Sequence, residues 1–130
     1  MEENVLVDSS FFISRFRKGQ DPFQELAASD DAYEFYSCGV VKLEVSRGIV
    51  ATRLFKEHKE NFEVMCWVPT TDKIWDDALA LAWNLERKGI TMQVTDIVIA
   101  ISALSVDAAV LTLDSDFDNV PGLRVIHELR

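Results

Sequence analysis

Asp8, Glu44, Asp96 and Asp114 are the side chains of this sequence that could do chemistry together. Each lies at the end of an apolar stretch or near the head of a helix-forming one, and Asp116 follows just beyond the last. The charge around them is one-sided. From Gly89 to Leu123 there is no Lys or Arg, yet that stretch carries Asp96, Asp107, Asp114, Asp116 and Asp118. Carboxylates that converge in space need a counter-charge, and a divalent cation supplies it. Hard cations such as Mg2+ prefer carboxylate oxygens and keep several waters, so such a site can activate water, hold a scissile phosphate and stabilise a leaving oxygen. Each acid also has a plainer reading, as a helix cap or as one charge on a solvated face. Position on the secondary structure has to decide between them.

Other chemistries have less to build on. Cys38 and Cys66 are far apart and form no C-x-x-C pair, so they read as core thiols of a reducing compartment. His58 and His127 are isolated, which leaves a zinc site without its usual ligands. No apolar run approaches the roughly 18 residues of a membrane span. The start, Met1-Glu2-Glu3-Asn4, is acidic where a secretion signal would be basic, so a cytoplasmic protein is expected. Twenty-two acids against 13 bases give a net charge of −9, which taken alone argues against a nucleic-acid partner. The densest basic cluster is Arg15, Arg17 and Lys18. It reads either as a set of phosphate contacts or as a solvated helix end.

The elements that must position the acids can be read along the chain. At 130 residues and 48% hydrophobic content, the sequence fits one domain over 1–130 with its own core. Asn4 to Val7 is a short strand closing on Asp8, and Ser9-Ser10 is a cap signal for a helix running to Arg17. Asp21-Pro22 starts a second helix through Ala28. Tyr33 to Cys38 is an aromatic-rich strand. Val40 to Lys59 has helical composition, with Gly48 a weak point and a further break expected near His58. Met65 to Val68 is a third strand, stopped by Pro69.

Thr71-Asp72 caps a helix whose apolar positions, Ile74, Ala78, Leu81, Ala82 and Leu85, fall on one face, and Gly89 ends it. Asp96 to Val106 is ambiguous, since its β-branched residues favour a strand while its length and a Thr95 cap favour a buried helix; the helix is chosen. Ala109 to Leu113 is a strand, Asp114 to Val120 a turn or short helix, and Arg124 to Ile126 a last strand. Trp67, Trp75 and Trp83 read as core or subunit packing. Strands alternating with helices predict an α/β fold of three layers, a mainly parallel central sheet flanked by helices. Sites in such folds lie beyond the carboxyl ends of the strands. Asp8 follows the first strand, Asp114 the fourth, Asp96 heads the helix feeding that strand, and Glu44 lies early in the helix after the second. All four can therefore project from one edge.

Four segments in order resemble the motifs of PIN domains: Val7-Asp8-Ser9-Ser10-Phe11-Phe12-Ile13; Leu43-Glu44-Val45-Ser46-Arg47-Gly48-Ile49; Thr95-Asp96-Ile97-Val98-Ile99-Ala100-Ile101-Ser102-Ala103-Leu104; and Leu111-Thr112-Leu113-Asp114-Ser115-Asp116-Phe117 with Val120-Pro121-Gly122-Leu123 after it. Together they cover essentially residues 4 to 126. The third segment is more β-branched than is usual there, and the fourth offers two aspartates.

The resemblance implies an endoribonuclease dependent on Mg2+ or Mn2+. Asp8 and Asp96 would be its firmest metal ligands, Glu44 and Asp114 would complete the pocket, and Asp116 would be a further ligand or lie behind one. Ser10 and Thr112 would have supporting roles, and Arg47 would pair with Glu44 or meet RNA phosphate. Small stand-alone members with this layout resemble VapC-type toxins of toxin–antitoxin pairs, which implies an RNA substrate, a cognate antitoxin and a homodimer. A dedicated RNA-processing nuclease without an antitoxin, and a PIN scaffold that does not cleave, stay open beside it. A phosphoacceptor receiver domain fits poorly, because no Lys lies between Lys88 and the C-terminus.

Overall fold

The computed structural model describes residues 2–130. The chain runs β1 (Glu3–Val7), α1 (Ser9–Arg17), α2 (Pro22–Ala27), β2 (Tyr33–Cys38), α3 (Gly39–Ser46), α4 (Thr52–Glu63), β3 (Cys66–Val68), α5 (Asp72–Arg87), α6 (Val94–Ser105), β4 (Ala109–Leu111) and β5 (Val125–Ile126), with a 3-10 turn over Ser115–Asn119. The five strands form one sheet in the order β3-β2-β1-β4-β5, and every neighbouring pair is parallel. Successive strand side chains point to opposite faces, and Val5, Leu6, Val7, Ala109, Val110 and Leu111 are all fully buried. The central strands are therefore covered on both faces, as the near-continuous apolar runs predict.

The strand order places the site. From β1 the chain builds outward through β2 to β3, then returns across the sheet to lay β4 on the other side of β1. Val7 is in register with Leu111, so the residues leaving these two strands, Asp8 and Thr112, emerge side by side. That is the point of a doubly wound sheet where the crossovers diverge and leave a crevice.

Local differences from the sequence reading have identifiable causes. The helix expected over Val40–Lys59 is two helices, and the break lies between Ser46 and Thr52, not near His58, which sits inside α4. Gly48 weakens the helix there, and the β-branched Ile49 and Val50 do nothing to restore it. The strand expected to Leu113 stops at Leu111: Thr112 N still pairs with Ile126 O at 3.0 Å, but the Thr112 carbonyl meets the His127 side chain and not a strand amide. α1 begins at Ser9 with Asp8 in the cap position, and no side chain makes a capping bond. α6 begins at Val94 behind Gln93, again without a side-chain cap, so Thr95 does not cap it. Its β-branched run is nonetheless helical. Ile97 to Ala103 are all buried, and packing outweighs a weak intrinsic preference. α5 matches expectation: Thr71 Oγ1 accepts the Ile74 N–H at 3.3 Å, and Gly89 ends the helix at φ 78°.

Phe12 joins three helices. Its ring lies 5.2 Å from Phe23 of α2 and 5.3 Å from Phe62 of α4. The three tryptophans are not core residues: Trp67, Trp75 and Trp83 are 45%, 49% and 57% exposed. Both cysteines are free thiols, Cys38 buried and Cys66 half-buried. Among the described residues no helix is long and apolar enough to cross a membrane.

Phe12→Ala should cost about 3–5 kcal/mol by urea unfolding, because it empties a fully buried aromatic site. Val64→Ala, at a side chain 86% exposed, should change stability by under about 0.5 kcal/mol. Comparable losses in the two variants would show that this aromatic cluster is not the core.

Candidate active site

Asp8 is the most constrained of the acids. It is 2% exposed, and its Oδ2 accepts the hydroxyl protons of Ser10 at 2.7 Å and Thr112 at 2.8 Å. Each hydroxyl in turn accepts a backbone N–H: Leu113 N donates to Ser10 Oγ at 3.0 Å, and Asp114 N donates to Thr112 Oγ1 at 2.9 Å. Both protons are committed to Asp8, so the 3.2 Å approach of Ser10 Oγ and Thr112 Oγ1 is a contact and not a further bond. Ser10 therefore orients Asp8 and does not cap α1.

Ser9 links a second acid to the first. Its hydroxyl lies 3.1 Å from Glu44 Oε1 and 3.5 Å from Asp8 Oδ1. One proton cannot serve both at full strength, and the shorter bond goes to Glu44. The contact ties α1 to α3 across the mouth of the site.

Asp96 occupies the first turn of α6, and Asp114 and Asp116 flank the start of the 3-10 turn. One carboxylate oxygen from each of these three lies within 4.8 Å of the others. Asp114 Oδ1 also accepts the Asp116 N–H at 2.9 Å, which fixes the turn. Asp96 has no such support. Burial and the neighbouring charges of Asp8, Asp114, Glu44 and Asp116 push its carboxyl up to about 7, from an ordinary value of 3.8. Among the described residues no Lys, Arg or His forms an ion pair with any of the five acids; the pairs present are Arg15–Glu25, Lys73–Asp77, Arg124–Glu3 and Arg130–Glu3.

The donor set fits a hard divalent cation. It consists of carboxylate oxygens alone, close enough to share one ion, and it carries a repulsion that a cation would relieve. Asp8, Glu44, Asp96, Asp114 and Asp116 are thus brought to one edge, with the tightest triplet containing Asp116.

The basic residues read from the sequence lie differently. Arg15 is engaged, its guanidinium bonding Glu25 at 3.1 and 3.2 Å and lying over the Phe11 ring. Arg47 is exposed and makes no ion pair with Glu44. Lys18 is exposed, and Arg17 borders an open groove of about 1000 Å3 that Glu44 also lines. Ser9 and His127, whose Nδ1 lies 2.8 Å from the Thr112 carbonyl, were not singled out from the sequence. Nothing in the sequence marks His127, while Ser9 had only its place beside Asp8.

The sequence profile of the PIN domain matches residues 5–123. No curated protein matches the sequence closely enough to count as a relative. Several solved structures share the fold. The DNA-bound VapBC of Salmonella typhimurium superposes with a TM-score of 0.78 at 18% identity, covering 97% of this chain and 98% of that one. VapBC2 of Rickettsia felis, bound to a promoter DNA fragment, gives 0.75 at 16%, covering 95% and 97%. VapC20 of Mycobacterium tuberculosis, described as a sarcin-ricin loop cleaving toxin, gives 0.66 at 13%, covering 92% and 98%.

The raised Asp96 value has a definite sign in stability. Between about pH 4 and pH 7 the metal-free folded protein holds a proton that the unfolded chain has released, so this group's contribution weakens as pH rises through that window. Asp96→Asn removes the charge. Its melting temperature relative to wild type should therefore climb from the acid to the alkaline end of the window, in buffer stripped of divalent ions. A difference that stays flat across those melts would mean Asp96 feels no such repulsion.

Proposed function

The chain belongs to the PIN domain family, and from that premise we propose that residues 1–130 form one PIN domain acting as a divalent-metal-dependent endoribonuclease. The observation that carries this reading is the group of five acids that, among the described residues, have no cationic partner, with Asp96, Asp114 and Asp116 in ligating range of one another. Asp8, Asp96 and Asp114 would hold Mg2+ or Mn2+, with Asp116 beside them and Glu44 completing the pocket. The bound ion would supply a Lewis acid for water activation and for charge on the scissile phosphate.

The chain's own residues do the rest. Ser10 and Thr112 hold Asp8 in one orientation, leaving its Oδ1 for the pocket. Ser9 holds Glu44 toward the same space, where its carboxylate can orient a water or take a proton. With its carboxyl pushed up to about 7, Asp96 is partly protonated near neutral pH and would release that proton to water on binding a cation, so metal uptake should be coupled to proton release. Arg17, Lys18 and Arg47 are exposed and would be available to RNA phosphate; Arg15 is already paired.

The likeness to structures of VapBC complexes supports the narrower reading of a toxin restrained by an antitoxin in the cytoplasm. The groove beside Glu44 is suited to such a partner. Ile13, Phe16, Ile49 and Leu54 give it apolar walls, and Asp21, Glu44 and Glu57 outnumber Arg17 among its charges. Burial pushes the His58 imidazole below its ordinary value, so that wall is neutral as well. An apolar segment carrying basic side chains fits this lining, and a basic side chain reaching past Glu44 would meet the acids. We assign Trp75, Leu79 and Trp83, exposed at four-residue spacing along α5, to a homodimer contact.

Asp8→Asn and Asp96→Asn should each lower Mg2+-dependent RNA cleavage by about two orders of magnitude or more, the scale set by one group that stabilises developing charge. Mg2+ at ten times its dissociation constant should stabilise the wild type by about 1.4 kcal/mol and leave a quadruple variant of Asp8, Glu44, Asp96 and Asp114 unchanged. Cleavage at the wild-type rate by both single variants would remove the site. Expression in a bacterial host should arrest growth only with Asp8 intact, and co-expression of a cognate antitoxin should restore it. Harmless expression of an RNA-cleaving wild type would favour a processing nuclease instead.

A further inference from the structure

His127 lies past the end of the region matching the PIN profile, at the carboxyl end of the last parallel strand. Its position in the ladder is unusual. Val110 N donates to Arg124 O at 2.9 Å and Thr112 N to Ile126 O at 3.0 Å. In a parallel ladder the next donor, to the Thr112 carbonyl, would be the N–H of Glu128. The His127 imidazole takes that place, with Nδ1 at 2.8 Å from the Thr112 oxygen. A carbonyl only accepts, so Nδ1 carries the proton.

That carbonyl and the Leu113 N–H belong to one planar peptide unit and point in opposite directions. Fixing the oxygen from one side therefore fixes the N–H on the other, where it donates to Ser10 Oγ at 3.0 Å. Ser10 in turn gives its proton to Asp8 Oδ2 at 2.7 Å. The same anchoring acts through Thr112 itself, whose Oγ1 donates to Asp8 and accepts from Asp114 N. All the polar groups of Thr112 are then engaged: N–H with β5, carbonyl with His127, hydroxyl with Asp8 and Asp114.

We propose that His127 is a positioning residue for Asp8. It holds the Thr112–Leu113 peptide in the orientation that lets Ser10 and Thr112 aim their protons at one carboxylate oxygen. The consequence for metal and RNA rests on the nuclease reading above; the consequence for the peptide does not.

The test uses the full chain and three variants. An asparagine amide can place its nitrogen where Nδ1 stands, whereas a glutamine amide reaches the position of Nε2. In wild type, 15N NMR of the imidazole should show the Nδ1–H tautomer, the less common one for a free neutral histidine. His127→Ala and His127→Gln should speed hydrogen exchange of the Leu113 amide by roughly fivefold, the worth of one net hydrogen bond. They should also weaken Mg2+ binding, followed by titration, by about tenfold, as loss of outer contacts around a metal site does. His127→Asn should restore both toward wild type. A ring protonated on Nε2 alone, unchanged Leu113 exchange in His127→Ala, or an asparagine variant no better than alanine would each overturn the proposal. A wild type that binds Mg2+ but cleaves no RNA would sink the nuclease reading while leaving the tautomer, exchange and binding measurements to judge His127.

Discussion

Like charges held at one edge of a parallel sheet are the constraint on which this structure turns. Asp8, Glu44, Asp96, Asp114 and Asp116 meet without a lysine or arginine among them, and the strain appears at Asp96, pushed up to about 7 by burial and by the other four. Left to itself, such a group of carboxylates would separate into water. What prevents this is the covered sheet beneath. The fully buried β1 and β4 run in register, and their ends can move apart only if the strands do. Folding free energy stored in an apolar core is thus used to hold a polar arrangement whose repulsion a bound cation would relieve, a familiar relation between stability and function.

Within the cluster the acids are treated unequally, and the inequality is chemical. Asp8 is enclosed by donors and oriented by them, with each donor hydroxyl anchored in turn by a backbone amide. Asp114 has the Asp116 amide. Asp96 stands on the rigid first turn of a buried helix, its position set by packing and not by hydrogen bonds. A carboxylate locked by neutral donors keeps its geometry whether or not a cation is present, whereas one facing only other acids changes its protonation when the cation enters. On the proposed reading, the site would combine a fixed ligand with a responsive one.

The net charge of −9 and the proposed RNA substrate would be compatible if the two act at different places. The acids concentrate where a cation would sit, while Arg17, Lys18 and Arg47 are exposed to solvent. The groove lined by Glu44 has apolar walls and an acidic balance, a lining that would favour a basic segment over phosphate. Substrate and restraining partner would approach the same acids through surfaces of different character.

Much of this was legible in the sequence. Alternating apolar runs and caps give the α/β fold and its parallel sheet, because strand and helix periodicities are local properties of the chain. The acids could be placed at element ends for the same reason, and their motifs resembled a family that the profile match bears out. Tertiary structure decided the remainder. The helix from Val40 breaks at Gly48 because no packing rescues a weak stretch whose Val50 is 98% exposed, whereas α6 survives its β-branched run because it is buried along seven consecutive residues. Arg15 proved to be tied to Glu25, and Ser10 to Asp8, through partners that no local window contains. His127 shows the limit most clearly. It meets Thr112 only because β5 is laid beside β4, and a hydrogen bond between strand ends depends on sheet order, which is fixed by the fold as a whole and not by the residues on either side.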